Sequence, residues 1–381
     1  MGSGTEYMRQ ALQLARRGFG CTSPNPMVGA VLVRGGKVIG QGWHHRAGLP
    51  HAEIEALNNA RRRGHQVRGS SLYVTLEPCS TFGRTPPCTN AIISAGIRKV
   101  FVGAIDPNPR HAGRGLVLLQ RAGISVERGL LEEECEQLNE AFNYWVKRGM
   151  PFVTVKAAMT LDGKIATRSG ESKWITGTAA RAWSMRLRQG VDAILVGINT
   201  VLADDPSLTV RIPGASKRGQ DRKTPRRVVL DSMARTPVDS KLVQDSDSAA
   251  TTVVVSRAAP RVRRRALASR VQVLVAPGRS ERIDVEWLLR KLGADGVTSL
   301  LVEGGGEVNA SFLLGGFAQR VAFFYAPKIL GGADALKAVA GKGARSLNEA
   351  LQLLDVQWRR LGSDWLLTAC VRSEKGVQRK R

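Results

Sequence analysis

Three residues of the kind that hold zinc stand at a spacing that can close around one ion: His51, Cys79 and Cys88. One imidazole and two thiolates give three ligands of a tetrahedral site and leave the fourth position open for water, as a catalytic zinc requires. Glu53 stands two residues after His51. A carboxylate there can move protons without binding the metal, so Glu53 is read as the proton carrier for a zinc-activated water that attacks an amino-bearing ring carbon. The plainer alternative is a pair of core cysteines and a surface His51-Ala52-Glu53. Chance association of His-x-Glu with a downstream Pro78-Cys79 and Cys88 after a strand is uncommon. Eight residues separate the two cysteines, whereas sites of this chemistry commonly have two.

The surrounding pattern supplies elements to position these groups. Apolar residues at Tyr7, Met8, Ala11, Leu12, Leu14 and Ala15 predict a helix over 5–19. Strands are expected over 28–33 and 37–41, joined by Gly35-Gly36 as a hairpin, then over 71–76 and 99–104. Helices are expected over 51–62, 89–95, 116–122 and 131–146. His51 and Glu53 thus open one helix, and the cysteine loop leads into another. Helix N-termini carry partial positive charge and stabilise thiolates. Gly149 and Pro151 punctuate the chain just before a strand over 152–158, which places a domain boundary near 148. Beyond it, strands over 193–197, 227–230, 251–255, 271–275, 300–302 and 321–325 alternate with helical stretches. One helix spans 176–189 with Thr176 or Thr178 as N-cap. Residues 215–223 read as an exposed loop. The expected organisation is a first domain over 1–147, a second over 148–372, and a disordered basic tail over 373–381, both domains being layered α/β. No internal repeat is visible.

Composition bounds the function. The chain has 381 residues, 43% hydrophobic and 23% charged, as expected of two globular domains. No apolar run is long enough for a membrane span, and the start lacks signal-peptide layout and a myristoylation pattern. Five cysteines suit a reducing cytoplasm; Cys21, Cys135 and Cys370 are expected as small core residues. The net charge is +25. Nucleic-acid binding would explain it, but the arginines are scattered (Arg61-Arg62-Arg63, Arg226-Arg227, Arg263-Arg264-Arg265) and only 5% of residues are aromatic. A phosphorylated small substrate in an arginine-rich chain fits better, with no nucleic-acid and no membrane partner expected.

A second set of chemistry-bearing residues lies in the C-terminal half. Lys156 is followed by Met159-Thr160-Leu161-Asp162-Gly163-Lys164, then Ser172-Lys173-Trp174. Gly197-Ile198-Asn199-Thr200 leads to Asp204-Asp205-Pro206-Ser207-Leu208-Thr209-Val210-Arg211. Glu303-Gly304-Gly305-Gly306-Glu307-Val308 joins a strand to a helix. Glycines at such a turn let backbone approach a pyrophosphate at a helix N-terminus, although a plain tight turn reads equally well. The Gly-x-Gly-x-x-Gly fingerprint is absent, so a conventional dinucleotide fold is not expected. Arg188 and Arg211 can each pair bidentately with a phosphate. Trp174 offers a flat face to a ring, or is core. Lys156 is a possible proton donor.

Taken together, Thr22-Ser23-Pro24-Asn25-Pro26, His51-Ala52-Glu53, Thr75-Leu76-Glu77-Pro78-Cys79 and Gly83-Arg84-Thr85-Pro86-Pro87-Cys88 resemble the deaminase half of the bifunctional riboflavin-biosynthesis deaminase/reductase family. The eight-residue spacing is that family's own and separates it from tRNA and cytidine deaminases. The C-terminal motifs, in the same order, resemble its reductase half. The resemblance implies a cytidine-deaminase-like three-layer αβα domain followed by a dihydrofolate-reductase-like α/β domain. It implies zinc on His51, Cys79 and Cys88, Glu53 as proton shuttle, Asn25 on the pyrimidine and Arg84 on the ribosyl phosphate, the alternative for Arg84 being a solvated loop arginine. For NADPH it implies Ala158, Trp174, Thr200, Asp204, Ser232, Gly305, Gly306, Glu307, Val308, Asn309, Ala310 and Ser311. For substrate it implies Ser172, Arg188, Leu208, Arg211 and Glu303. The implied activities are deamination of a diamino-ribosylamino-pyrimidinone phosphate and NADPH reduction of its ribosyl group to ribityl, in a cytoplasmic homo-oligomer, dimer or tetramer. Thr81 departs from the family, which usually has histidine there. His44 and His45 are open between substrate contacts and structural roles. The competing expectations are a nucleic-acid deaminase with a fused binding domain, and a relative in which one site has decayed.

Overall fold

The computed structural model describes residues 3–83, 86–210, 224–278 and 282–372. The predicted loop over 215–223 and tail over 373–381 lie outside the described residues, as do Arg84 and Arg211. The chain forms two compact units, Met1–Gly149 and Met150–Arg381.

The first unit runs α1 (Gly4–Ala15), β1 (Gly29–Arg34), β2 (Lys37–Trp43), α2 (Ala52–Arg62), β3 (Ser71–Leu76), α3 (Cys88–Ser94), β4 (Lys99–Ala104), α4 (Arg114–Arg121), β5 (Ser125–Arg128), α5 (Glu132–Leu138) and α6 (Glu140–Arg148). Its sheet has the order β2-β1-β3-β4-β5. Two glycines show why it is sandwiched. A Cβ at Gly29 would strike the Ala11 carbonyl of α1, and one at Gly42 would strike the backbone of α2 at Ala52 and Ala56. Gly29 pairs with Trp43 and Ala30 with Gly42. Adjacent residues point to opposite faces and paired residues to the same face, so α1 and α2 cover opposite sides. That is a three-layer αβα unit, as expected.

The helix predicted over 131–146 is two helices, broken at Asn139. The cause is a tertiary contact: buried Asn139 accepts from Met27 N–H at 2.8 Å and donates Nδ2 to Met27 O at 2.9 Å. Among the three cysteines expected in the core, only Cys135 is buried; Cys21 and Cys370 are half-buried.

The second unit runs β6 (Phe152–Thr160), α7 (Thr178–Gln189), β7 (Ala193–Gly197), α8 (Ile198–Asp204), β8 (Arg226–Leu230), α9 (Lys241–Gln244), β9 (Thr251–Val255), α10 (Arg261–Ala268), β10 (Gln272–Val275), α11 (Val285–Ala294), β11 (Ser299–Val302), α12 (Gly306–Leu313), β12 (Arg320–Ala326), β13 (Leu353–Leu361) and β14 (Asp364–Val371). The strand order is β10-β9-β8-β7-β11-β6-β12-β14-β13. Pairs from β10 to β12 are parallel, and β14 and β13 add antiparallel strands at one edge.

Alternation along β7 divides the core: Ala193 and Leu195 join Leu288 and Phe312 on one face, while Ile194 and Val196 join Leu242 and Leu267 on the other. Strands buried on both faces read as continuous apolar runs, which is how β7 and β9 look in the sequence. The N-cap of α7 is Gly177, not Thr176 or Thr178, and no side chain caps that helix. Gly177 N–H instead donates to Asp364 Oδ2 at 2.6 Å.

Candidate active sites

In the first unit, His51 is the N-cap of α2, Cys79 follows β3, and Cys88 opens α3. Their three ligand atoms lie within 4.8 Å of one another. His51 Nδ1 sits 3.5 Å from Cys79 Sγ and 3.3 Å from Cys88 Sγ. A tetrahedral zinc with ordinary bond lengths sets nitrogen and sulfur roughly 3.5 Å apart, so the donor set fits zinc in kind and spacing.

Charge points the same way. A hydrogen bond from Cys88 lowers Cys79 to about 4, with His51 helping against burial. The Cys79 contact and then burial push Cys88 upward. The bond to Cys79 raises His51, with burial opposing. Two adjacent sulfurs resist ionising together unless a cation lies between them. Glu53 is 3% exposed in the first turn of α2. Burial first, then charge on Cys79, push its carboxyl up to about 7 against the pull of His51. A group near neutrality can both accept and return a proton.

Asn25 stands beside this centre through a relay. Its Nδ2 lies 3.1 Å from His44 Nε2, and His44 Nδ1 lies 3.1 Å from the Pro50 carbonyl. A carbonyl only accepts, so Nδ1 carries the proton and Nε2 accepts from the Asn25 amide. Burial lowers the pKa of His44, favouring this neutral form. His44 therefore orients Asn25, whereas His45 is exposed and packs on Trp43 with ring centres 4.2 Å apart. Thr81 is exposed on the cysteine loop. Glu77 is buried and accepts from the backbone N–H groups of Asp106, Gly113 and Gly115 at 2.9–3.2 Å, tying residues 106–115 beside the Pro78-Cys79 step.

In the second unit, the expected residues gather at the carboxyl ends of parallel strands, where open α/β sheets bind ligands. Glu303 follows β11 and takes a two-pronged bond from Arg188, Nε to Oε1 at 2.7 Å and Nη2 to Oε2 at 2.8 Å. Lys156 Nζ of β6 lies 3.6 Å from Glu303 Oε2, and Arg188 Nη1 donates to Thr209 O at 3.2 Å. Burial raises Glu303, but Lys156 and Arg188 outweigh it and hold the carboxyl at about 2. Arg188, expected on the substrate, has its fork engaged by Glu303, whose side chain is 7% exposed and could not be left unpaired cheaply.

Ser172 Oγ donates to Asp204 Oδ1 at 3.1 Å, joining a residue expected on substrate to one expected on cofactor. Trp174 is 67% exposed, so it is not core, and Arg181 lies over its ring at 4.7 Å. Leu208 is buried with φ +49° and belongs to the apolar cluster beneath β7 and β8. Its side chain serves packing.

The glycine turn divides by role. A Cβ at Gly304 would strike Val308, and one at Gly306 would strike the Lys337 carbonyl, whereas Gly305 faces open space. Gly305 is the N-cap of α12 and no side chain caps that helix, so its first turn is suited to a pyrophosphate. This open turn fits the phosphate portion of a dinucleotide. Farther along, Asn309 and Ala310 are buried, and Asn309 Nδ2 donates to Ala338 O at 2.8 Å, which ties the helix to residues 338–341. Glu307 Oε1 accepts from Gly341 N–H at 3.2 Å, and Ser311 Oγ donates to Glu307 O at 2.8 Å. Thr200 and Ser232 are half-buried after β7 and β8, and Ala158 is half-buried in β6.

Two features escaped the sequence reading. Residues 328–341 run back across the site: Asp162 accepts from Leu330 and Gly331 N–H, Ile165 N–H donates to Leu336 O, and Ala340 N–H donates to Gly306 O. No local pattern announces this. Arg227, named from the sequence only as one of the scattered arginines and as the start of a strand, is 1% exposed and forks onto Asp245 at 2.6 and 2.8 Å while donating to Ser207 O at 3.1 Å. Its alternation with Val229, on the face packed by α9, was the available signal.

These two folds and sites define a two-domain enzyme, a zinc-type deaminase joined to a reductase. Residues 1–104 match the zinc-binding region of cytidine and deoxycytidylate deaminases, and residues 151–367 match the RibD C-terminal domain. The riboflavin biosynthesis protein RibD of Actinobacillus pleuropneumoniae is 44% identical over 95% of this chain and 94% of its own. RibD of Acinetobacter baumannii superposes with a TM-score of 0.85 at 34% identity, covering 97% of this chain and 98% of that one. The deaminase/reductase of Thermotoga maritima gives 0.82 at 35% identity, covering 97% and 98%. The chain belongs to the RibD family of bifunctional riboflavin-biosynthesis deaminase/reductases. Its deaminase domain is a zinc-binding one and its reductase domain is NADPH-dependent.

Proposed function

We propose that this chain performs two consecutive steps on one phosphorylated pyrimidine: hydrolytic deamination of 2,5-diamino-6-ribosylamino-4(3H)-pyrimidinone 5′-phosphate, then reduction of its ribosyl group to ribityl. The observation that carries the reading is the His51, Cys79 and Cys88 cluster with buried Glu53 beside it. A zinc held there supplies Lewis acidity that makes water nucleophilic near neutral pH. Asn25, held by His44, presents its amide to the pyrimidine edge. Glu53 takes the proton from the attacking water and returns it to the departing nitrogen, so that water and an aminopyrimidine give ammonia and a pyrimidinone.

In the second domain, NADPH supplies the hydride. The α12 N-terminus at Gly305 receives its pyrophosphate, Trp174 offers a face to a ring, and Ser172 and Asp204 fix each other between substrate and cofactor. Lys156, poised by Glu303, donates the proton that accompanies hydride to the sugar. Arg84 and Arg211 are assigned to substrate phosphate groups. The nucleic-acid alternative is not favoured by the family match.

Among the described residues no helix is long and apolar enough to cross a membrane. A reducing cytoplasm suits zinc ligation by Cys79 and Cys88 as thiolates. A homo-oligomer, dimer or tetramer, is supported by β13, an edge strand with Val356 and Trp358 exposed. Light scattering of the purified chain measures that state.

The test of the two-step reading is Glu53→Ala. Ammonia release should vanish while NADPH oxidation on pre-deaminated substrate persists. Ammonia release at the normal rate would sink the mechanism.

A further inference from the structure

Residues expected at the cofactor stand on or just after neighbouring strands: Ala158 on β6, Gly305 after β11, Thr200 after β7 and Ser232 after β8, and the sheet runs β6, β11, β7, β8 in that order. Three inter-strand steps cover roughly 14 Å, enough for an extended dinucleotide. Its direction follows from chemistry. Lys156, Glu303 and Arg188 cluster at the β6–β11 end and mark the reacting ring. The uncapped α12 N-terminus marks the pyrophosphate. The adenosine end must then lie at or beyond β8.

A cleft of about 440 Å³ opens there, lined by Leu202, Ala234, Arg235, Thr236, Arg263 and Ala266 among others. Its walls carry apolar Leu202, Ala234 and Ala266, suited to a base, together with two arginines. Arg235 is three residues past Ser232, and its Nη2 donates to Asn199 Oδ1 at 3.1 Å, one residue before Thr200. The turn that presents it is fixed by buried Asp231, which accepts from Thr236 N–H at 2.6 Å and Thr236 Oγ1 at 2.7 Å. Arg263 reaches the cleft from α10.

Among the described residues no acidic side chain lines the cleft, whereas an NADH site places a carboxylate against the ribose 2′-hydroxyl. Two guanidinium groups match a phosphate monoester. NADPH differs from NADH by that one group on the adenosine ribose.

We propose that this cleft seats the adenosine end of the cofactor, that Arg235 and Arg263 hold its 2′-phosphate, and that these two residues set NADPH above NADH. The inference rests on the reductase reading above and adds its specificity residues.

Calorimetric titration of the full-length chain with 2′,5′-ADP and with 5′-AMP tests it without turnover. Charge-assisted bonds of this kind predict that Arg235→Ala and Arg263→Ala each weaken 2′,5′-ADP binding roughly 10- to 100-fold and shift 5′-AMP by less than about threefold. Arg265→Ala, on the same helix and outside the cleft lining, should change neither. Arg263 and Arg265 are both exposed, so these two variants test the proposal independently of folding. Unchanged 2′,5′-ADP affinity in Arg263→Ala overturns the assignment, as does an equal loss for 5′-AMP or an equal loss in Arg265→Ala. A wild-type chain that bound neither NADPH nor 2′,5′-ADP would instead overturn the dinucleotide reading, and the cleft with it.

Discussion

Glu303→Gln removes one charge and almost no volume, and its cost can be worked from the structure. The carboxyl lies at about 2 against an ordinary 4.5. At about 1.36 kcal/mol per pH unit, its charged form is favoured in the folded chain by about 3 kcal/mol. The physical source is two cations, Arg188 and Lys156, whose side chains are 14% and 15% exposed. Removing one member of a buried pair costs about 3–5 kcal/mol because a charge is stranded.

For a depressed carboxyl, the stabilisation is complete above the unfolded value and lost as pH falls through the folded one. Wild type should therefore hold the full contribution above about 4.5 and lose it towards about 2, whereas Glu303→Gln should lack it throughout. The assay is urea unfolding of the second domain at neutral pH, read by tryptophan fluorescence. With an m-value of about 3 kcal/mol per M, the midpoint should fall by about 1 M. Adding Arg188→Met should recover part of the loss, because one stranded cation, Lys156, then remains instead of two. A midpoint within about 0.2 M of wild type, or a double variant no better than the single, would refute the stranded-charge account.

Four further outcomes follow. Cys88→Ser should reduce bound zinc, measured by elemental analysis, from one per chain towards none, and abolish ammonia release while the reductase step survives. Glu53→Gln should keep zinc and lower the deaminase kcat about 10²- to 10⁴-fold, the usual worth of a proton-transfer group. His44→Phe should raise the deaminase KM more than it lowers kcat, since it orients Asn25 and does not touch the reacting atoms; an unchanged KM would remove His44 from the site. Gly306→Ala should weaken NADPH binding at least tenfold and lower thermal stability by about 1–3 kcal/mol, because the added methyl meets the Lys337 carbonyl and forces backbone apart; Gly305→Ala, facing open space, should fold normally.

The zinc site was legible because its signal is chemical identity at a spacing. His51, Glu53, Cys79 and Cys88 announce themselves without knowledge of the fold, and the strands and helix starts around them follow from short-range periodicity. Asn25 was expected on the pyrimidine, but the His44 and Pro50 contacts that orient it are joined by no local pattern. Asn139 shows the same limit: its bonds to Met27, over a hundred positions away, break a helix that periodicity alone extends through it. In the second domain the strands were readable as apolar runs, but residues 328–341 pair with 163–165 and 306 through backbone groups that carry no residue-type signature. The sequence leaves the glycine turn open between two roles, and the structure shows both: Gly306 makes room for a neighbouring chain segment, and Gly305 faces open space. Arg227 was hidden by composition: a buried clamp stands next to an exposed arginine, and residue type alone does not tell the two apart.

The central claim is that one chain deaminates and then reduces the same small phosphorylated pyrimidine. The most direct measurement follows ammonia and NADPH together after adding the diamino-ribosylamino-pyrimidinone phosphate to purified zinc-loaded protein. The account predicts ammonia release with or without NADPH, and NADPH oxidised in equal amount only as deaminated product forms. NADPH oxidation with no ammonia, or ammonia that requires NADPH, would contradict it.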